Sequence, residues 1–328
     1  MRRSVSIILG VALVATAISG GLLLLSFSRS TREVLAESRH SAGAEFHLTV
    51  ILPDDTDEFY RSLVRGGQDE ALLHGAALEL LYFGSIRGEP GLLLRQARWM
   101  HTDGVLVYLP EHNSFTREIA DLMRAGIPVI TLVNDNPLSG RTAHLGFDAE
   151  GIARELVRLM VDSATDEPHT WGVLISADGS GNPGWQGQRM EAVIRAMLAP
   201  KSNIRLLPTR VVEAGYFPGE QEAAHLLRDH SQLTGIVVAV PQTLGGVVQV
   251  LIDQNRLGDI AVVGIDFGSG VEDALARGLL NGTVLRHPEQ VGATGVRTLM
   301  EAVKGGRVPE YSDLDYSAVD QRSVVGLR

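Results

Sequence analysis

The 328-residue chain contains no cysteine. That absence excludes disulfides, thiolate zinc sites, cysteine nucleophiles and cysteine-borne lipid anchors. It leaves the redox compartment open, because a large core needs no covalent staples. Basic charge is also short: 29 Lys and Arg stand against 39 Asp and Glu, a formal net charge of -10. Five arginines and three glutamates fall in residues 1–45, so the remainder carries 24 basic against 36 acidic groups. A body that acidic lacks the electrostatic footprint of a nucleic-acid binder. Neither G-x-S-x-G nor a P-loop occurs, and no fixed-period repeat or low-complexity tract is present. Aromatic residues are sparse at 5%, yet 45% hydrophobic against 21% charged residues suffices to bury a core and argues against disorder. The length corresponds to about two domains.

The first long feature is an uncharged, apolar stretch of 25 residues, 4–28, between Arg3 and Arg29. As a helix it would extend roughly 37 Å, enough to cross a bilayer core of about 30 Å. Ala15-Thr16-Ala17 offers a small-x-small cleavage site. Cleavage there would leave residues 18–27, with four consecutive leucines, on the mature chain, so an uncleaved signal anchor is favoured. Arg2 and Arg3 then stay inside and the body is exported. Residues 29–45 are polar and read as a stalk.

From Phe46 onward, short apolar runs alternate with amphipathic stretches, the pattern of βαβ units on parallel sheets. Ten strands are predicted, at 46–52, 77–82, 104–109, 128–133, 143–147, 171–176, 205–212, 235–240, 260–265 and 282–285. Helices fit between them, the first carrying Phe59, Leu63, Val64, Gly67 and Ala71 at helical spacing, with Asp55 and Glu58 as a capping pair. Further helices fit 115–125, 151–162, 186–198, 218–228, 244–255, 271–278 and 288–304. The weak region 162–168 suggests a break between two similar halves.

Open parallel α/β sheets bind ligands beyond the carboxyl ends of their strands, so the exits of the apolar runs are informative. They hold Asp57, Phe59 and Tyr60; Asn134 and Asp135; Asp178, Trp185 and Arg189; Gln242; and Asp266. Any one such aspartate could be an N-cap. Together they describe a polar, aromatic binding cleft without a nucleophile–base pair. Other motifs carry less. Gly179–Gly184 spells G-x-G-x-x-G after a strand, but Pro183 sits in the turn and no acidic residue stands near Asn203 for a ribose. Asp266-Phe267-Gly268 lacks the companion kinase motifs. The ten histidines are scattered and the Asp54, Asp55, Asp57 turn fits capping better than a cation, so neither a metal nor a cofactor is expected.

Residues 50–75 (VILPDDTDEFYRSLVRGGQDEALLHG) resemble the opening of type I periplasmic sugar-binding proteins. The segments DGVLV at 103–107, AGIPVI at 125–130, VVGID at 262–266 and GLLNGTVLRHP at 278–288 follow in that family's order. The likeness spans about residues 46–306. Regulators of the lactose-repressor type share the fold but would need an N-terminal helix-turn-helix where the apolar segment stands. The resemblance implies two Rossmann-like lobes with parallel sheets, joined by three crossings and closing on a ligand. Lobe 1 would comprise 46–147 plus 287–311, and lobe 2 148–286 plus 312–328. It implies that Phe59 and Tyr60 stack on a sugar, that Asp57, Asn134 with Asp135, and Asp266 hydrogen-bond it, and that Arg189 donates to vicinal hydroxyls. Two departures stand out. Ala239-Val240 replaces a family Asn-Asp, leaving Gln242 as the nearest polar group, and Arg286 stands where many relatives carry a neutral amide. A pocket with Asp57, Asp266 and Arg286 either compensates its own charges or takes a charged or amino-bearing ligand. The implied function is an extracytoplasmic, membrane-tethered receptor for a sugar-like molecule, without catalysis, serving an ABC-type permease. The alternatives are a ligand-sensing subunit for a membrane histidine kinase and, less favoured, an α/β enzyme acting on a sugar or nucleotide.

Overall fold

The computed structural model describes residues 43–53, 57–84, 89–178, 180–268 and 270–325. The apolar segment 4–28, nearly all of the stalk, and Asp55 lie outside them. Among the described residues no helix is long and apolar enough to cross a membrane.

Two sheets, each covered by helices on both faces, account for the alternation. The first contains β1 (Phe46–Leu52), β2 (Ala76–Tyr82), β3 (Gly104–Tyr108), β4 (Val129–Leu132), β5 (Ala143–Gly146) and β12 (Tyr311–Asp313), in spatial order β12-β5-β4-β3-β1-β2. All of its pairings are parallel, with Leu48 opposite Leu78 and Ile51 opposite Val107. Side-chain alternation splits β1 between two cores. Leu48, Val50 and Leu52 pack on one face beneath α1 (Glu58–Leu73) and α9 (Pro288–Val303), while Ile51 packs on the other with Leu94 of α2 (Glu89–Trp99) and Ile119 of α3 (Thr116–Arg124). A strand buried on both faces has no polar period, which is why these segments read as plain apolar runs.

The second sheet contains β6 (His169–Ser176), β7 (Ile204–Leu206), β8 (Arg210–Val212), β9 (Gly235–Ala239), β10 (Ala261–Ile265), β11 (Gly282–Leu285) and β13 (Ser317–Asp320). Its order is β13-β11-β10-β9-β6-β7, with β8 also on β6 and β13 the antiparallel strand at one edge. The predicted strand 205–212 is two short strands on the same neighbour: β7 pairs at His169–Trp171 and β8 at Leu174–Ser176. Pro208 between them has no N–H to extend the ladder. Val173 and Ile175 face α4 (Ala149–Ser163) and α5 (Trp185–Leu198). Leu174 faces α6 (Tyr216–Asp229) and α7 (Leu244–Asp253).

The chain passes between the lobes three times: after Phe147, after Arg286, and between β12 and β13. Because β12 pairs with β5, the last passage falls at 314–316, later than expected. The weak stretch 162–168 is not a break; it joins α4 to β6 within the second lobe. The first helix is capped by Asp57 rather than by Asp55, its carboxylate accepting the Phe59 amide at 2.7 Å.

Candidate functional site

The carboxyl ends of both sheets turn toward each other, and the strand exits meet there. Four exits are held in left-handed backbone by residues other than glycine: Val133 (φ 67°), Gln242 (64°), Asp266 (47°) and His287 (45°). For the β-branched Val133 this conformation is a genuine outlier. Strain of this kind costs about 1–3 kcal/mol per residue and gathers at working sites.

Arg286, the last residue before the second crossing, organises the centre. Its backbone N–H donates to Asp266 Oδ1 at 3.0 Å and its Nε to Oδ2 at 2.6 Å, with Nη2 in ion-pair contact with Oδ2 at the same 2.6 Å. The guanidinium lies 4.4 Å from the Phe59 ring centroid and 5.4 Å from that of Phe147. Burial alone would lower its pKa; the charge and hydrogen bonds of Asp266 outweigh burial and raise it. Arg286 is therefore a fixed cation at the junction of the lobes. Beside it, burial pushes the Tyr60 hydroxyl well above its ordinary pKa; Tyr108 adds to this, while Arg286 and a hydrogen bond to Gln242 oppose it. The rings of Phe59, Tyr60 and Tyr108 meet edge to face at 5.5 and 5.6 Å. The contacts of Arg286 with Phe59 and of Tyr60 with Gln242 join the two lobes.

A second group closes the mouth. Gln186, in the first turn of α5, donates to the Val133 carbonyl of the other lobe at 2.7 Å and lies 3.4 Å from Asn134 Oδ1. Asn134 Nδ2 donates to the carbonyls of Leu109 and Pro110 at 2.9 and 3.2 Å. Trp185 stacks face to face on His112 of the first lobe, with centroids 4.7 Å apart and planes 4° apart. Arg189 lies 4.8 Å from the Trp185 ring and pairs with Glu150 at 2.5 Å.

The expected residues thus separate. Phe59, Tyr60, Asn134, Trp185, Gln242, Asp266 and Arg286 line the interlobe space, with Arg189 at its mouth. Asp57 is engaged in capping α1. Asp135 is fully engaged within its own lobe: Arg141 donates to both of its oxygens at 2.5 and 2.7 Å, and the Asn136 amide and Thr131 hydroxyl donate as well. It is a buried structural anion, and its assignment as a ligand contact is corrected. One face of Phe59, the ring expected to stack on a sugar, is covered by the Arg286 guanidinium. Sequence reasoning missed Tyr108, His112, Phe147 and Gln186. Tyr108 and Phe147 stand at strand ends rather than beyond them, and Gln186 adjoins Trp185 in a helix first turn. The Gly-rich loop turns its amides inward, the Ser180 and Asn182 N–H groups donating to Asp178 Oδ1. Among the described residues no three metal-ligating side chains cluster.

Two α/β lobes facing each other by their strand carboxyl ends, linked by three crossings, form a bilobal binding-protein architecture. The periplasmic binding protein domain matches residues 50–307, and the chain belongs to that family. Ribose import binding protein RbsB of Escherichia coli (strain K12) is 24% identical over 285 residues, covering 85% of this chain and 92% of RbsB. A periplasmic solute binding protein of an ABC transporter from Actinobacillus succinogenes, with bound D-allose, has a TM-score of 0.78 at 15% identity. That match covers 86% of this chain and 100% of the other. A chain of the XylFII-LytSN complex gives 0.74 at 18% identity, covering 84% and 98%. These structures share the fold.

Proposed function

We propose that this protein is an extracytoplasmic receptor that clamps a sugar or sugar-like molecule between its lobes for ABC-type uptake, without catalysis of its own. The observation that carries the reading is the convergence of side chains from both lobes on one cleft: Tyr60, Tyr108 and Asn134 from one, Gln242, Gln186 and Arg286 from the other. Such a set hydrogen-bonds and stacks, which is what a polyol requires. Similarity to a ribose import protein and to an ABC-transporter protein holding D-allose supports the same ligand class. Titration calorimetry and thermal-shift measurements against neutral, amino and acidic sugars test it, since a ligand that binds only the native state raises its stability. One-to-one binding that Tyr60→Ala weakens about tenfold is expected. Silence across the whole panel defeats the reading.

A second role is favoured by one comparison. A structural neighbour is found in the XylFII-LytSN complex, and an uncleaved anchor would suit a fixed membrane partner such as a sensor kinase. Cross-linking in native membranes separates the roles: capture of permease subunits supports uptake, capture of a kinase supports sensing.

A further inference from the structure

Arg286 has already engaged the two groups that a neutral sugar would be expected to use. Its side chain is 7% exposed. Asp266, which the sequence offers as an acceptor, takes the Arg286 backbone N–H on one oxygen and Nε on the other, where Nη2 is also in ion-pair contact. Phe59, which the sequence offers as a stacking face, lies under the same guanidinium at 4.4 Å, with Phe147 at 5.4 Å. The ring face under the guanidinium is closed to the C–H face of a sugar, which leaves only the opposite face. An amino group seeking Asp266 meets a carboxylate whose charge is already paired. A neutral ligand therefore meets an Asp266 whose Oδ2 is already taken and a Phe59 shared with a cation, and gains less from either than from a free carboxylate and an open ring.

What Arg286 leaves available is donor capacity. Asp266 occupies the Nε and Nη2 side of the fork, so the Nη1 edge lies outside the pair. A planar guanidinium edge matches a carboxylate or a phosphate. Arg189 adds a half-exposed guanidinium at the mouth, beside Trp185.

Resting on the reading of the cleft as a sugar site, we propose that Arg286 is its specificity-determining residue. It favours a sugar derivative bearing an anionic group, carboxylate or phosphate, over neutral and amino sugars. The anionic group docks on the Nη1 edge while the sugar hydroxyls meet Tyr60, Gln242 and Asn134.

The test titrates the full chain, Arg286→Gln, and the double variant Arg286→Gln/Asp266→Asn, which keeps the buried site neutral should the single variant fold poorly. The probes are D-ribose, D-glucosamine, D-gluconate, D-galacturonate, D-ribose 5-phosphate and inorganic phosphate. The native chain is expected to bind an acidic sugar about tenfold or more tighter than ribose or glucosamine, and both variants to lose about tenfold or more of that affinity. Gluconate and galacturonate against ribose 5-phosphate distinguish carboxylate from phosphate. Ribose or glucosamine binding to the native chain as tightly as any acidic sugar overturns the proposal, as does an acidic sugar whose affinity both variants retain. In either of those cases the sugar-binding reading survives. Binding of inorganic phosphate alone, or silence of all three proteins toward every sugar, overturns the sugar-binding reading and the proposal with it.

Discussion

Asp135, Arg141 and His144 form a buried charge cluster in the first lobe, behind the rim of the cleft. Burial raises the Asp135 pKa, but hydrogen bonds from Arg141 and the proximity of His144 more than offset this and hold it below its ordinary 3.8. His144 accepts or donates a 3.0 Å hydrogen bond at the Thr131 hydroxyl, and burial lowers its pKa from 6.5 against the pull of Asp135. Both folded-state values lie below the unfolded ones, so both groups stabilise the native state at neutral pH and lose that contribution on acidification. The His144 contribution is complete above pH 6.5 and fades as pH falls through the lower folded value. The Asp135 contribution follows below 3.8. Urea midpoints between pH 7.5 and 5 should fall for the native chain and fall less for His144→Asn. Equal slopes in the two proteins would show that this imidazole does not govern the acid sensitivity.

The helix that returns the chain from the second lobe to the first, α9, is seated on α1 by backbone contact. A Cβ on Gly292 would stand 1.9 Å from the Leu63 carbonyl oxygen, and one on Gly66 would stand 2.0 Å from that of Glu289. Neither obstacle is a side chain that could swing aside. Gly292→Ala should therefore cost about 1–3 kcal/mol despite the better helix propensity of alanine. Gly43→Ala, with nothing within 4 Å, should be neutral. Chemical denaturation checks both, and a silent Gly292→Ala would mean that the two helices can separate freely. The same pair is tied at its far end by Arg297, which donates to both oxygens of Glu70 at 2.8 and 2.9 Å. Those hydrogen bonds are the main reason why the Glu70 pKa is lowered.

Among the described residues the interlobe contacts of Gln186, Trp185 and Arg286 are polar or aromatic, and the relative position of the lobes is open to adjustment at the three crossings. Replacing Trp185 and Gln186 by alanine removes the His112 stack and the Val133 hydrogen bond without entering either core. Small-angle scattering of the body, residues 43–328, should then give a larger radius of gyration than the native body. An unchanged radius would place the control of closure at Arg286 instead. The direction in which the whole molecule faces is a separate proposal, resting on Arg2, Arg3 and the uncharged segment 4–28. Amino-terminal sequencing of the membrane fraction should find the chain uncleaved; a mature start near Ile18 would remove the anchor but not export.

The sequence by itself determined the α/β alternation, nine of the parallel strands to within a residue or two, and the strand exits from which the cleft is built. It could do so because two-sided burial and helical periodicity are local patterns. It missed α2, where three consecutive leucines blur the period: Leu94 is buried while Leu92 is exposed. It missed β12 and β13, which are three and four residues long and carry no apolar run. What only the tertiary structure decided is which charge meets which. Asp57, Asp135, Arg189, Asp266 and Arg286 look alike in sequence, as charged residues in the segments that follow apolar runs. One caps a helix, one is locked to Arg141, one pairs with Glu150, and the last two pair with each other across 20 residues of chain. Pairing energy depends on distances between residues far apart in sequence, up to the 227 positions separating Glu70 from Arg297, and no local pattern carries that information.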